Sequence, residues 1–278
     1  MRATFDSSTF QGVFPMLRKN APDTIAIDIG NTCLHVGAVD TARRVCCRRA
    51  DLPLSGTIAR WTGLLDSVIT PAAGKVPSML RAVIAGGSRD MAQRVRTLLR
   101  ESGITDCTDL AWHPGLPVRF CYKKPHLLGA DRIADALYAA AAYPKRNIII
   151  IDAGTAVTVD ALTAEGEFIG GVIFPGPATQ LQSLHEAAPA LPLLDISKRT
   201  PLLPGTSTEE CMRSGVLHAI AGGLDHLVGR YRQVLSRNCT VLATGGGWDT
   251  VKKYIAFKSI ENRDMALIGT AMFHKAER

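Results

Sequence analysis

The chain has 278 residues, of which 46% are hydrophobic and 21% charged, a balance that predicts a globular protein of one large or two medium domains. The formal net charge is +7, but no long Lys/Arg run or aromatic-interleaved basic stretch accompanies it, so we do not expect nucleic acid as a partner. No apolar run approaches the roughly 18 residues that a membrane span needs, and seven scattered cysteines without C-x-x-C spacing argue against a zinc knuckle and favour reduced thiols in the cytoplasm.

The first 21 residues lack the apolar central block of a secretory signal. Ser7, Ser8, Gly12 and Pro15 break any periodicity there. We therefore predict an N-terminal extension over residues 1–21 that is poorly ordered, with Met16 as an alternative start.

The first half begins with a short β-branched apolar run, 24–28, which predicts a strand that ends at an Asp followed by a glycine turn. Further patterns predict strands over 34–39, 44–49 and 81–85, a helix over 58–69 and a second helix around 95–99. The Ala-rich stretch 130–143 predicts a helix that stops at Pro144.

The second half repeats this plan, because Asp152 ends a strand over 147–152 and lies 124 positions after Asp28. The patterns that follow predict strands over 156–162, 168–174 and 240–243, a long helix over 209–235 that is loosened at Gly222-Gly223, and helical segments near residues 251 and 266. We therefore predict an α/β fold with two similar lobes around a central cleft. The lobes are expected at 22–128 and 129–278, with the helix after Gly129 crossing between them.

Two Asp-x-Gly turns are the strongest candidates for phosphate binding. In Asp28-Ile-Gly-Asn-Thr32, the glycine lets a phosphate approach the backbone N–H groups, and the carboxylate can hold a cation or its waters. One such turn alone is more typical of an ordinary hairpin. The second copy, Asp152-Ala-Gly-Thr155, and the triplet Gly245-Gly-Gly247 after a strand make a shared nucleotide site the better interpretation.

Other nucleotide and catalytic motifs are absent from the sequence. There is no G-x-x-x-x-G-K-[ST] loop, no G-x-G-x-x-G after a strand, no H-R-D, no H-E-x-x-H and no G-x-S-x-G. The chain is therefore not a P-loop protein, a protein kinase or a serine hydrolase of the usual kinds.

A third acidic position is Asp131, in Gly129-Ala-Asp-Arg132 at the start of a helix. An acid in a first turn can simply complement the helix dipole. In a cleft between two phosphate turns it is instead a candidate proton acceptor for an attacking hydroxyl, with Arg132 suited to an anionic substrate group.

An ordered series of motifs resembles the type III pantothenate kinases, and the resemblance covers essentially everything after residue 23. The motifs are Asp28-Ile-Gly-Asn-Thr32, Tyr122-x-x-Pro125, Gly129-Ala-Asp-Arg132, Asp152-x-Gly-Thr155 with Thr158 and Asp160, Gly170-Gly-Val-Ile-Phe-Pro-Gly176, Ala190-Leu-Pro192, Thr208 before Ser214-Gly215, and Thr244-Gly-Gly246. The sequence departs from the family's usual pattern at Ala85-Gly-Gly-Ser88 and at 263–269, which bears on nucleotide affinity rather than on the reaction.

The resemblance implies a duplicated, ribonuclease H-like fold of the acetate kinase/Hsp70/actin superfamily that phosphorylates pantothenate with ATP and Mg²⁺, the first step toward coenzyme A. It also implies a cytoplasmic homodimer and a monovalent cation, potassium or ammonium, bound by Asp152. Asp131 would be the proton acceptor. The ATP residues would be Asp28, Ile29, Gly30, Asn31, Thr32, Cys33, Leu34, His35 and Thr155, and the pantothenate residues would be Tyr122, Gly129, Ala130, Asp131, Arg132 and Thr208.

Two alternatives remain open at this point. A non-catalytic transcriptional accessory protein could keep the same fold, and the net charge of +7 is compatible with it. A kinase of the same superfamily could act on another small acid or sugar.

Overall fold

The computed structural model describes residues 22–55, 58–69, 80–196, 203–235 and 237–276. The predicted extension over residues 1–21 and the alternative start at Met16 lie outside these ranges. None of the described helices combines the length and the apolar character needed to cross a membrane.

The first sheet has five strands in the order β3-β2-β1-β4-β5. Strands β1 to β3 form an antiparallel meander, and β4 and β5 run parallel to β1. Helices α1 and α2 belong to this half and bury their apolar faces against the sheet. The elements are β1 (Thr24–Ile29), β2 (Cys33–Asp40), β3 (Val45–Pro53), α1 (Ile58–Ile69), β4 (Arg81–Gly86), α2 (Arg89–Glu101) and β5 (Cys107–Asp109).

The second sheet repeats that topology and adds one short strand at its edge. Its order is β11-β10-β7-β8-β9-β6, with β7 to β9 as the meander and β10 and β11 parallel to β7. The predicted duplication and its ribonuclease H-like order are therefore confirmed. The strands are β6 (Arg119–Phe120), β7 (Ile148–Ala153), β8 (Ala156–Leu162), β9 (Glu167–Pro175), β10 (Thr240–Thr244) and β11 (Ile260–Glu261).

Five helices complete the described fold. Two of them, α3 and α7, pack against each other, and the core around them contains residues of both sheets. Their backbones cross so closely that a Cβ at Gly269 of α7 would overlap the Ala134 carbonyl of α3. The helices are α3 (Ala130–Ala142), α4 (Pro177–Ala187), α5 (Thr208–Val234), α6 (Trp248–Val251) and α7 (Met265–Ala276).

The division into lobes between residues 128 and 129 stays a prediction. Two elements contact the half that lies on the other side of this boundary. Strand β6 precedes the boundary but pairs with β9 of the second sheet. Helix α7 follows it but packs on β1, β2 and β4 of the first sheet.

The predicted loosening of the long helix at Gly222-Gly223 is wrong, because α5 runs unbroken from residue 208 to 234. Glycine costs a helix only about 1 kcal/mol relative to alanine. The buried neighbours Ile220, Ala221 and Leu224 hold this part of α5 against the second sheet's core, which offsets that cost.

Candidate active site

The two Asp-x-Gly turns lie at the carboxyl ends of β1 and β7, the equivalent central strands of the two sheets. The hydroxyl of Thr32 in the first turn lies 3.5 Å from that of Thr155 in the second, and both residues are exposed. The structure therefore brings the turns together across one cleft, as the sequence predicted.

Glycines shape both sides of this cleft at matching points. Gly86 follows Ala85 beside β1, and Gly245 follows Thr244 beside β7, and both adopt positive φ angles of 71° and 95°. A Cβ at Gly245 would overlap both the Ala153 carbonyl and a carboxylate oxygen of Asp152. Only glycine fits this backbone and this close approach.

Asp131 is half-buried in the first turn of α3, where one of its oxygens accepts a hydrogen bond of 2.8 Å from the N–H of Arg132. A Cβ at Gly129 would overlap that same oxygen, so the glycine makes room for the carboxylate. The charge of Asp131 acts on both Asp28 and Asp152. The acid of α3 therefore lies within electrostatic reach of both aspartates.

Burial raises the pKa values of the acids at the base of the cleft. For Asp28 burial raises the pKa to about 6, opposed by His35 and reinforced by Asp131. For Asp152 burial, Asp131 and Asp28 together raise the pKa to about 7. Burial and the charge of Asp152 also raise the pKa of Asp135, which is 2% exposed and has a side-chain oxygen without a hydrogen-bond partner.

These shifts predict that the protein without bound cations loses stability as the pH rises. The folded-state pKa values lie above the ordinary 3.8, so the folded protein holds protons that the unfolded chain has released between about pH 4 and pH 7. The free energy of unfolding therefore falls through this window. We expect thermal unfolding of the cation-free protein to show a melting temperature several degrees lower at pH 8 than at pH 5.

Added Mg²⁺ should raise the melting temperature more at pH 8 than at pH 5, because it competes with protons for the same carboxylates. The matched control replaces Asp28 and Asp152 by Asn, which should flatten the pH dependence. A wild-type melting temperature that stays level or rises from pH 5 to pH 8 would contradict the assignment of raised pKa values.

Arg132 is buried beside Asp131 and paired with a carboxylate on β8. Its Nε donates to Asp160 Oδ2 at 2.9 Å and its Nη2 donates to Asp160 Oδ1, in a bidentate pair in which both residues are at most 6% exposed. The guanidinium carbon also lies 5.7 Å from the ring centre of Tyr122 and 5.5 Å from that of Phe168. Three predicted substrate residues, Tyr122, Asp131 and Arg132, thus lie side by side.

The remaining predicted site residues differ in exposure. Asn31 is exposed and Cys33 is half-buried. The side chains of Ile29 and Leu34 are buried in the core of the first sheet, so only the backbones of these two residues can face a ligand. Thr208 is exposed at the first residue of α5. Its contact with a substrate stays a prediction.

Asp28 and Asp152 suit a cation whose remaining ligands come from a bound phosphate compound and water. Burial, reinforced by the charge of Asp131, raises the pKa values of Asp28 and Asp152, so a bound cation would stabilise their ionised forms. Within the described ranges, no three His, Cys, Asp or Glu side chains converge closely enough to ligate an ion by themselves. Phosphate oxygens and water would therefore supply the other ligands, as is usual for Mg²⁺.

Three acids near the cleft were not among the predicted catalytic or ligand residues. Asp135 follows Asp131 by four residues, a spacing that places both on one face of α3, and an acid inside an Ala-rich run was the available signal. Asp160 is the partner of Arg132. Asp51, on β3, contacts His35 at 2.6 Å and has no sequence signal of its own.

The fold and the site together define a two-lobed protein of the actin-like class, with a cleft lined by paired Asp-Gly turns. At the level of overall shape, a crystal structure of a Baf family transcriptional activator from Campylobacter jejuni is similar, with a TM-score of 0.56, 17% identity, and coverage of 91% of this chain and 98% of that one. That similarity shows the fold alone.

The family model for type III pantothenate kinase matches residues 24–230. A type III pantothenate kinase of Desulfovibrio desulfuricans is 32% identical over 235 residues, which cover 81% of this chain and 86% of the relative. Another, from Porphyromonas gingivalis, is 35% identical over 156 residues, which cover 55% of this chain and 63% of that relative, so here the chain spans just under two thirds of the protein that it matches. The chain belongs to the type III pantothenate kinase family.

Proposed function

We propose that this protein is a kinase that transfers the γ-phosphoryl group of ATP to the primary hydroxyl of pantothenate, giving 4′-phosphopantothenate and ADP at the first step of coenzyme A biosynthesis. The observation that carries the proposal is the meeting of the two Asp-Gly turns, with 3.5 Å between Thr32 and Thr155, beside the carboxylate of Asp131. Family membership favours this function over an accessory role or another substrate.

The proposed roles follow the two sides of the cleft. Residues 28–35 and Thr155 would contact the phosphates through backbone N–H groups and hydroxyls. The segment 129–132, Tyr122 and Thr208 would contact pantothenate. Because Asp160 holds Arg132 in a bidentate pair, we propose that Arg132 acts from a fixed position and presents the rest of its guanidinium to the substrate's polar groups.

The proposed step is a single displacement. The substrate hydroxyl oxygen forms a bond to the γ-phosphorus, the bond from that phosphorus to the β,γ-bridging oxygen breaks, and ADP leaves with the electron pair. The hydroxyl proton passes to the carboxylate of Asp131. Such transfers depend mostly on position and charge neutralisation. The converging turns would supply the position, and a cation held by the acids would supply the neutralisation.

Bound Mg²⁺ would neutralise phosphate charge, and Asp28 and Asp152 would hold it or its waters. We further propose that Asp152 holds the monovalent cation, potassium or ammonium. Its support is the pKa of this half-buried carboxyl, which desolvation and the charges of Asp131 and Asp28 raise to about 7, and a cation would relieve that repulsion.

Replacing Asp152 by Ala should abolish activation by potassium, because the carboxylate proposed to hold the ion is gone. The measurement compares turnover in sodium and in potassium salts at equal ionic strength. Asp249→Ala is the control, since Asp249 is an exposed acid of the same half that pairs with Lys252. A variant at residue 152 that still responds to potassium would place the ion elsewhere.

We also propose that the enzyme is a cytoplasmic homodimer. Support for a dimer comes from Ile169 and Ile173, which are 37% and 59% exposed and share one face of β9. Strand β6 pairs with β9 only at residues 167 and 168, so the rest of the β9 edge has no strand beyond it in the described fold. Light scattering of the wild type and of Ile173→Glu tests it, with a dimer expected for the first and a monomer for the second.

The function is tested by ADP release with and without pantothenate, in sodium and then in potassium, together with mass spectrometry of the product. We expect ADP release to depend on pantothenate, to increase in potassium, and to match phosphopantothenate formed one for one. ADP release that does not depend on pantothenate, or a product other than the phosphate ester, would contradict the proposal.

A further inference from the structure

A row of polar side chains crosses the first sheet from the candidate nucleotide site to its edge. Asp28 of β1, His35 of β2 and Asp51 of β3 are direct cross-strand neighbours. Directly opposed residues in antiparallel strands place their side chains on the same face of the sheet. The three side chains therefore lie in line, with His35 between the two acids.

Hydrogen bonds fix the outer part of this row. His35 Nδ1 lies 2.6 Å from Asp51 Oδ1 and 3.3 Å from Arg49 Nη2. Because an ionised carboxylate can only accept, we assign a proton to Nδ1, which donates to Asp51. Arg49 Nε donates to both oxygens of Asp51, at 2.9 and 3.1 Å. Burial opposes ionisation of Asp51, but the bonds from His35 and Arg49 outweigh it and lower its pKa to about 2.

Arg49 is itself held from the other side of the row. Its Nη1 donates to Asp264 Oδ1 at 3.0 Å and to the carbonyl of Arg263, just before α7. The guanidinium is half-buried, so the arginine links the edge of the first sheet to the start of a helix that packs against α3. This link keeps Asp51 in place beneath the histidine.

The ring of His35 lies beside the cleft, because His35 is half-buried and directly opposite Asp28 of the first turn. With Nδ1 occupied by Asp51, the nitrogen left for a ligand is Nε2. The second sheet has no such row, since the equivalent neighbours of Asp152 are Thr158 and Ile173. The fixed imidazole is thus a feature of one side of the cleft only.

We infer that His35, with a proton on each ring nitrogen, donates a hydrogen bond from Nε2 to a phosphate oxygen of the nucleotide, and that Asp51 and Arg49 are positioning residues that fix its ring for this contact. The inference deepens the proposed function and rests on it for the nature of the ligand, a nucleoside triphosphate. It assigns roles to Asp51 and Arg49, which lie outside the Asp-Gly turns.

The experiment measures ATP binding directly by calorimetry, and KM for ATP, KM for pantothenate and kcat in steady state, for His35→Ala, Asp51→Asn and the double variant. We expect each single variant to weaken ATP binding by about tenfold, the size of one hydrogen bond to a charged group. KM for pantothenate should stay unchanged. The double variant should be no weaker than His35→Ala, because Asp51 acts through the ring.

Asp109→Asn is the matched control, because Asp109 lies on β5, the opposite edge strand of the same sheet, and pairs with Arg96 of α2. It should bind ATP as the wild type does. If Asp51→Asn does not fold, the ATP affinity of His35→Ala alone tests the inference. Wild-type ATP affinity in His35→Ala, or losses that multiply in the double variant, would overturn the inference. Tight ATP binding without pantothenate phosphorylation would instead overturn the proposed function and leave this inference standing.

Discussion

Replacing Asp131 by Asn should lower kcat by about 10²–10⁴-fold while ATP binds nearly as before. The amide keeps the shape of the side chain, and its oxygen can still accept the hydrogen bond from the N–H of Arg132. It cannot take the proton of the substrate hydroxyl. Steady-state rates with pantothenate measure kcat, and calorimetry measures ATP affinity separately.

The control for this variant is Asp90→Asn. Asp90 is also an acid in the first turn of a helix, α2, and it pairs with Arg94 on the surface. If Asp131 only complemented a helix dipole, both variants would cost a little stability and leave turnover alone. Unchanged kcat in Asp131→Asn would therefore contradict the proposal that Asp131 accepts the proton.

Replacing Arg132 by Met should destabilise the protein by about 3–5 kcal/mol, because it leaves the buried carboxylate of Asp160 without its partner. Burial raises the pKa of Asp160 even with Arg132 present to oppose the rise. The unpaired acid would be protonated or would admit water, and either response costs stability. Denaturant unfolding at neutral pH measures the loss.

The comparison for that variant is Arg96→Met, which breaks the more exposed pair with Asp109. Exposed pairs contribute about 0–1 kcal/mol, so this change should be small. Adding Asp160→Leu to Arg132→Met should recover part of the stability, since both charges are then gone. A loss of less than about 1 kcal/mol in Arg132→Met would show that the buried pair does not hold α3 against β8.

The sequence predicted those parts of the fold that local patterns determine. The strands ending at Asp28 and Asp152, the meanders that follow them and the helix after Gly129 were all predicted within a few residues of their observed bounds. Each is a periodic run bounded by a glycine, proline or aspartate, and burial on a sheet reinforces the local preference.

Elements that depend on distant partners were not predicted. Strand β6 has two residues and exists because it adds to the edge of β9, and β11 is equally short and pairs with β10. The path of α7 back onto the first sheet requires the close crossing at Gly269. Nothing in the local sequence determines such contacts.

At the site, the motifs indicated the turns and Asp131 but not the groups that hold them. Asp160 of strand β8 fixes Arg132 of helix α3, and Asp51 fixes His35 across a strand pair. Sheet register brings His35 and Asp51 together, 16 positions apart, and the packing of α3 on β8 brings Arg132 and Asp160 together, 28 positions apart. A motif search finds residues that touch a ligand more readily than residues that position them.

Everything proposed for this cleft depends on one triphosphate lying between the two halves of the molecule. A crystal structure with a non-hydrolysable ATP analogue and pantothenate tests this directly. We predict phosphate density between residues 28–32 and 152–155, with the pantothenate hydroxyl at roughly 2.6–3.2 Å from the carboxylate of Asp131. A nucleotide bound outside these turns, or a hydroxyl directed away from Asp131, would contradict the account.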